Sequence, residues 1–335
     1  MAKLALSRAV ATDARHWLAL VRAAEQRGLA SAASADLASA DAFVDAAAAA
    51  VVTTHLPLSI LVALPTRSPL QTALAAASVA TLAGPGRLTL GLAAGSEPVN
   101  EGGHGVPFAP PLARLREFAR TVLAILRAPA GEPVQWEGTY FRARGWGQGL
   151  DAAALPLVIG AHGPRMVRLA AEIADGLAMH LLTPRRVLRQ RVALARALRP
   201  TGFPISAGIF AAVDDDLSRA LAAARLEVTA ALLFPRFLGR LAELTDAAFA
   251  ERFAALGREG RVREAAALLD DELVREFALV CRPGELVAEA AALEMVEVVS
   301  PVPVGQFALT VPAFGVTRAD VRAQQHRLAA ALVGA

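Results

Sequence analysis

The clearest chemical signal in the chain is a glycine-bounded turn between a predicted strand and a predicted helix. Leu157–Gly160 is a short apolar run typical of a buried strand, and Gly163-Pro164 opens a helical pattern. Glycines at 160 and 163 allow the backbone to approach a ligand closely and to adopt positive φ. The N–H groups after Gly163 and the helix dipole favour an anion such as phosphate, and Arg165 adds positive charge. The turn therefore either binds a phosphate or is an ordinary strand–helix turn.

Comparison with other predicted helix starts favours the phosphate interpretation. Ser68-Pro69 and Thr183-Pro184 place a hydroxyl before a first-turn proline, which is the arrangement of a capped helix. Gly163-Pro164 has the proline but no capping side chain. A helix start without its own cap leaves backbone N–H groups available to an outside acceptor.

Two polar residues stand at or just beyond the ends of predicted strands, where a barrel enzyme carries its chemistry. Asp36 and His180 are candidate catalytic residues that would exchange a proton. The alternatives are a helix cap or surface loop for Asp36, and a structural hydrogen bond for His180. His104, in a glycine-rich stretch, is either a ligand contact or part of a solvated loop. No His, Cys or carboxylate spacing matches a metal site.

The elements that must position these residues alternate between short apolar runs and longer helical patterns, which predicts a parallel sheet with crossover helices. Apolar character along a whole run indicates burial on both faces. The predicted strands are Lys3–Ser7, Leu29–Ser34, Ser59–Leu64, Leu88–Ala93, Leu157–Gly160, Gly176–His180, Pro204–Val213 and Val296–Ser300. Eight such runs in 335 residues predict an α/β fold, a (β/α)8 TIM barrel forming one domain over residues 1–335. Two stretches depart from it: a Gly-, Trp- and Tyr-containing excursion at 130–154 after helix 4, and a helical insertion at 217–273 before strand 8.

Composition excludes several classes of function. The hydrophobic fraction is 55%, much of it alanine, and the charge-free windows Ala46–Thr66 and Ser68–Gly86 are interrupted by proline and polar residues, so no membrane span is expected. Basic and acidic residues number 34 and 31 without a basic patch, which argues against a nucleic-acid partner. Cys281 is the only cysteine, and the start of the chain lacks a secretory signal, so a cytoplasmic location is expected.

The segment from Leu157 to Gly176 resembles the luciferase-like monooxygenase superfamily, whose members are (β/α)8 barrels that use FMN or the deazaflavin coenzyme F420. Further stretches resemble the family in the same order: Arg67-Ser68-Pro69, Gly86–Gly95, Gly105–Phe108, Arg114–Glu117 and Gly138–Phe141. Asp270-Asp271 with Phe277–Val280 resembles actinobacterial-type members assigned to the deazaflavin coenzyme.

The resemblance implies where a cofactor would lie. Its phosphate would contact seven consecutive residues, which are Gly160, Ala161, His162, Gly163, Pro164, Arg165 and Met166. Ala63-Leu64 stands where relatives often have a bulge with a non-prolyl cis peptide, the alternative being plain trans packing, and Ala93, Ala94 and Gly95 would line the fourth loop. Two departures bear on catalysis. Asp36 stands for the family's second-strand acid, but the neighbouring histidine is absent, and Ala93-Ala94 replaces glycine.

The resemblance implies an F420-dependent oxidoreductase that passes a hydride between the deazaflavin and a small organic substrate. The alternatives are an FMN-dependent monooxygenase, or a barrel that has lost catalysis and serves as a binding subunit. Five aromatic residues would either shape the substrate side or pack in the core and hairpin; they are Phe108, Trp136, Tyr140, Phe141 and Trp146. A homodimer is expected from the resemblance.

Overall fold

The computed structural model describes residues 5–7, 14–36, 41–151, 153–179, 182–291 and 299–301. The strands are β1 (Ala5–Ser7), β2 (Ser31–Ser34), β3 (Leu58–Ala63), β4 (Leu88–Leu92), β5 (Pro133–Glu137), β6 (Arg142–Trp146), β7 (Leu157–Ala161), β8 (Gly176–Met179), β9 (Ile205–Ala207), β10 (Ile209–Val213), β11 (Ala278–Cys281) and β12 (Val299–Pro301). The α-helices are α1 (Ala14–Gln26), α2 (Ala42–Val52), α3 (Pro69–Ala83), α4 (Pro111–Arg127), α5 (Pro164–Ile173), α6 (Arg185–Leu198), α7 (Leu217–Leu232), α8 (Pro235–Ala242), α9 (Ala247–Arg258), α10 (Val262–Leu268), α11 (Asp271–Phe277) and α12 (Leu286–Ala291). A π-helix at Pro98–Gly103 and a short 3-10 turn at Pro283–Glu285 complete them.

The chain forms two compact units, a larger one of residues 13–179 and 191–205 and a smaller one of residues 1–12, 180–190 and 206–335. In the larger unit the strands β2, β3, β4, β7 and β8 pair in that order, and every pairing is parallel. The predicted parallel α/β arrangement is thereby confirmed for this unit. The assignment of residues 1–335 to one domain stays a prediction.

Burial explains why these runs form strands. Ile60, Leu90 and Ile159 are fully buried at the centres of β3, β4 and β7, as expected for parallel strands covered on both faces. At the amino ends of the strands, Arg87 donates hydrogen bonds to the carbonyl oxygens of Leu56 (3.0 and 3.2 Å) and Ala83 (2.7 Å). One guanidinium therefore provides hydrogen bonds to carbonyl oxygens at the end of α3 and before β3. These bonds stabilise this end of the unit.

An antiparallel hairpin lies within the predicted excursion at 130–154. Its strands β5 and β6 pair from Pro133↔Trp146 to Glu137↔Arg142, and its tip packs on α4. Glu117 Oε1 accepts the N–H groups of Tyr140 (2.8 Å) and Phe141 (2.7 Å), and the Phe141 ring lies 5.3 Å from that of Phe118. For Tyr140 and Phe141, hairpin packing is therefore the observed role.

In the smaller unit β10 pairs with β11 and β12, and β1 pairs with β12, all in parallel. The helices α7 to α11 lie between β10 and β11 in the chain, and their apolar faces share one core that includes Phe253 and Phe277. Two predictions need correction. The single strand predicted at Pro204–Val213 is two strands, β9 and β10, and Ala278–Cys281 is a strand that was not predicted. A run of four buried residues is too short for periodicity to separate strand from helix.

Among the described residues, no helix is both long enough and apolar enough to cross a membrane.

Candidate functional site

The carboxyl ends of four strands in the larger unit bring the predicted site residues together. The Asp36 N–H donates to the Val62 carbonyl (2.9 Å), and the Ala93 N–H donates to the Ala63 carbonyl (3.1 Å). A Cβ placed on Gly160 would lie 2.9 Å from the Ala93 Cβ. The ends of β2, β3, β4 and β7 therefore form one continuous surface, as the geometry of parallel strands requires.

The bulge expected at the end of β3 is present but lies earlier than predicted. The register between β3 and β4 shifts between Ile60 and Ala63, and the cis peptide bond joins Leu61 to Val62. At Ala63-Leu64 the alternative of plain trans packing holds, because the irregular residues precede Ala63, which pairs again with Leu92. Val62, which was not predicted, lies against Gly160, since a Cβ there would be 3.1 Å from Val62 Cγ1.

Close packing, and not a left-handed backbone, explains the glycine at 160. A side chain there would be pressed against Ala93 and Val62. Positive φ is absent at both Gly160 and Gly163, and Gly163 is extended at φ −78° and ψ 156°. The turn therefore does not use the positive φ that its glycines permit, and close approach of a ligand to them stays a prediction.

The start of α5 has the vacant cap that the sequence indicated. Gly163 is the N-cap residue, no side chain caps the helix, and Pro164 is the first helical residue. A Cβ built on Gly163 meets nothing within 4 Å, so the space in front of it is open. Met166 and Val167 donate their N–H groups to the Gly163 carbonyl, and Arg165 is exposed. This turn accordingly offers an uncapped, positively polarised helix end beside the converging strands.

The vacant cap alone does not single out α5. Ser68 Oγ caps α3 by accepting from the Gln71 N–H (3.1 Å), as predicted. However, α4 and α8 also begin without a side-chain cap, at Pro110 and Phe234. The cap predicted from Thr183 stays a prediction. What distinguishes α5 is therefore the combination of a vacant cap, open space and neighbouring strand ends.

The loop after β4 is held by a buried amide that the sequence did not bring forward. Asn100 Nδ2 donates to the Ala94 carbonyl (3.1 Å), and its Oδ1 accepts the Ser96 N–H (3.2 Å). Gly95 has φ +79°, and any side chain there would collide with Oδ1 of Asn100. The signal available in the sequence was an asparagine inside a loop rich in Gly and Pro, a residue type that bonds nearby backbone.

Asp36 lies at the end of β2 within a small ionic network. Its Oδ1 accepts the Ala42 N–H (3.0 Å), and its Oδ2 accepts from Arg67 Nε (3.3 Å). Arg67 also pairs with Asp41 and lies over the Phe43 ring at 4.9 Å. Burial raises the pKa of Asp36, and it outweighs the opposing effects of the Ala42 hydrogen bond and the Arg67 charge. Asp36 thus braces the start of α2 while keeping a carboxyl at the strand end.

The remaining polar candidates contribute less to this surface. His180 lies outside the described residues, so its proposed role stays a prediction. His104 is exposed next to the π-helix. Within the described ranges, no group of three or more His, Cys, Asp or Glu side chains is arranged to hold a metal ion.

Comparison with known proteins identifies the family. The family model described as luciferase-like monooxygenase matches residues 3–298. The chain is 30% identical over 250 residues to a 5,10-methylenetetrahydromethanopterin reductase of Archaeoglobus fulgidus, covering 71% of this chain and 74% of the relative. It is 29% identical over 317 residues to a putative coenzyme F420-dependent oxidoreductase of Mycobacterium tuberculosis, covering 83% and 89%. The solved structure of the F420-dependent tetrahydromethanopterin reductase of Methanopyrus kandleri has the same fold, with a TM-score of 0.74 at 22% identity over 90% of this chain and 93% of that one. The chain therefore belongs to the luciferase-like monooxygenase family and is an enzyme of the oxidoreductase class.

Proposed function

We propose that this protein is a coenzyme F420-dependent oxidoreductase that transfers a hydride between the deazaflavin and a small organic substrate. The observation that carries the proposal is the uncapped start of α5 at Gly163, lying beside the converged ends of β3, β4 and β7. Relatives named as F420-dependent, matched over most of the chain, support the choice of cofactor.

The residues at the strand ends fit a flat, phosphate-bearing cofactor. The phosphate would accept N–H groups at Gly163 and Arg165, where open space adjoins the helix start. The ring would lie over the partly exposed residues Val62, Ala93 and Gly160, where Gly160 packs directly against the Ala93 and Val62 side chains. When bound, F420 supplies a two-electron carrier that accepts or donates hydride, and the protein supplies orientation and exclusion of water.

Asp36 is the proposed proton-exchanging group. Its raised pKa keeps the carboxyl protonated to a higher pH than that of an exposed aspartate, which suits a general acid or base. Each carboxylate oxygen can accept more than one hydrogen bond, so the bonds to Ala42 and Arg67 leave capacity for a substrate proton. Arg67 fixes the carboxyl in one orientation.

We also propose a homodimer formed through α2 and α3. The outward-facing residues of α2 include Val44 and Val51, which are 64% and 73% exposed, and Leu74 and Leu82 are exposed on α3. The only charged residue within these two helices is Asp45, which is buried and accepts a hydrogen bond from Ser34. An uncharged apolar face of this kind suits a second copy of the same face across a two-fold axis. We further propose that the strands close into an eight-stranded barrel. From the single cysteine we also infer a cytoplasmic location.

Cofactor titration tests the proposal. The absorption spectrum of freshly purified protein identifies any retained chromophore, and titration with F420 and FMN in parallel compares the two affinities. We expect micromolar or tighter binding of F420. Binding of FMN without F420 would contradict the proposal and indicate an FMN-dependent monooxygenase, whereas binding of neither would indicate a barrel without catalysis.

A further inference from the structure

Arginines from α6 and its carboxyl end hold α5 at both ends. Arg191 Nε donates to the His162 carbonyl (3.1 Å), which lies just before the uncapped helix start. Arg199 Nη1 donates to the Ala171 carbonyl (3.1 Å) in the last turn of α5. Both arginines are half-buried, and the two bonds match in donor type, acceptor type and length.

We propose that Arg191 is a positioning residue that prepares the α5 start for the cofactor's phosphate, an inference that rests on the proposed function. The peptide between His162 and Gly163 is trans, so its carbonyl and N–H point in opposite directions. With the carbonyl held by Arg191, the Gly163 N–H is fixed facing away from the guanidinium. The orientation of the first donor of the phosphate turn is thereby set by a side chain of another helix.

The charge of Arg191 also strengthens that donor. A cation bound to the carbonyl polarises the peptide and makes its N–H a better hydrogen-bond donor. Summing the bond lengths on either side of the peptide puts the guanidinium roughly 8 Å from an anion held by the Gly163 N–H. At that distance, in partly buried surroundings, a full charge changes an affinity by about tenfold.

Arg199 holds the end of α5 as Arg191 holds its start, but its charge does not act on the phosphate. Ala171 lies eight residues beyond Gly163, which is about 12 Å along the helix axis. A charge at that separation is largely screened in physiological salt. Arg199 therefore provides a matched control for Arg191, although it also lies over the Phe203 ring at 5.1 Å.

The test compares Arg191→Met with Arg199→Met in the full chain, using F420 and the phosphate-free deazaflavin that keeps the ring and ribityl chain. We expect Arg191→Met to weaken F420 about tenfold and to change the phosphate-free compound less than twofold. Arg199→Met should leave both affinities within twofold of wild type. The two methionine variants should lower the melting temperature by similar amounts. Arg191→Lys, which keeps the charge but loses the Nε geometry, should recover part of the F420 affinity.

Three results would overturn the inference. F420 bound equally well by Arg191→Met and wild type would show that the arginine does not serve the phosphate. If Arg191→Met weakens the binding of both compounds equally, Arg191 contributes only to packing. The same conclusion follows if the two methionine variants weaken F420 binding equally. The proposed function fails separately, if wild-type protein binds neither F420 nor the phosphate-free deazaflavin. If wild type binds FMN in place of F420, then FMN and riboflavin form the test pair with the same expected outcomes.

Discussion

Gly163→Asp should make the protein more stable and its cofactor binding weaker. The N–H groups that an aspartate would cap are the ones proposed to bind the phosphate. Gly163 is extended, with φ and ψ of a typical N-cap residue, and the space beyond its Cα is open. An aspartate therefore fits without strain and caps α5. An aspartate in place of an N-cap glycine contributes a few tenths of a kcal/mol, and its charge at the positive helix end adds about 0.5 kcal/mol. The sum of about 1 kcal/mol corresponds to about 1.5 °C in melting temperature for a chain of this length.

The same carboxylate would oppose a phosphate in two ways. It would compete for the N–H groups, so that the ~1 kcal/mol gained from the cap and from the helix dipole is lost on binding. It would also place a negative charge about 4 Å from the phosphate, which costs between ~1 kcal/mol in water and ~4 kcal/mol at an effective dielectric constant of 20. With about 2 kcal/mol for repulsion, the total of about 3 kcal/mol weakens F420 about 100-fold.

Gly163→Asn separates charge from shape, since it provides the same cap without the negative charge. We expect it to weaken F420 only about twofold, which is the effect of the ~0.4 kcal/mol by which an asparagine cap exceeds glycine. Calorimetric or fluorescence titration gives the affinities, and thermal unfolding without ligand gives the stabilities. If F420 binds the Asp variant as tightly as wild type, the phosphate does not lie at α5. If the Asn and Asp variants lose affinity equally, the electrostatic part of the reasoning is wrong.

The other predictions concern the acid, the dimer and the amino end of the strands. Because the folded-state pKa of Asp36 is raised above its ordinary value of 3.8, its contribution to stability is present below that value and is lost as pH rises through the folded pKa. In urea unfolding, Asp36→Asn should therefore abolish this decrease in the free energy of unfolding with rising pH. It should also lower turnover about 100-fold or more, and unchanged turnover would show that Asp36 has no catalytic role. Val44→Lys combined with Val51→Lys should give a monomer in sedimentation, whereas Leu198→Lys, at an exposed apolar residue of α6, should not; a monomeric wild type would refute the proposed interface. Arg87→Met should lower the free energy of unfolding by about 3 kcal/mol, because it removes several charge-assisted bonds to carbonyl groups. The affinity for F420 should stay within twofold of wild type. A larger loss of affinity would show that Arg87 contributes to the cofactor site.

Sequence alone was sufficient for the general plan of the larger unit. Continuous apolar runs such as those of β3, β4 and β7 identify buried parallel strands, because covering both faces leaves no room for polar residues. The uncapped turn proposed to bind phosphate was also visible, since Gly163-Pro164 marks a helix start without a capping side chain. These are local properties of a few adjacent residues, which a sequence displays directly.

Features that depend on contacts between distant residues were not visible in the sequence. The reason for glycine at 160 is its packing on Val62 of β3 and on Ala93 just after β4, whereas the sequence indicated only what glycine permits, which is positive φ or close approach of a ligand. The irregularity of β3 falls at Leu61–Val62 and not at Ala63-Leu64, because the register is decided by pairing with β4. Strand β11 was missed because four apolar residues carry no distinguishing period.

Several residues acquire a role only through tertiary structure. Arg191 meets the His162 carbonyl across 29 residues, and Glu117 meets the hairpin tip across more than 20. In the sequence both belong to ordinary amphipathic helices, and nothing in the helical period shows which backbone groups such side chains will reach. The amino-acid order thus determined where the proposed phosphate-binding turn forms. Packing against α6 and the neighbouring strands decided how that turn is held, because orientation and electrostatic field depend on residues that only folding brings together.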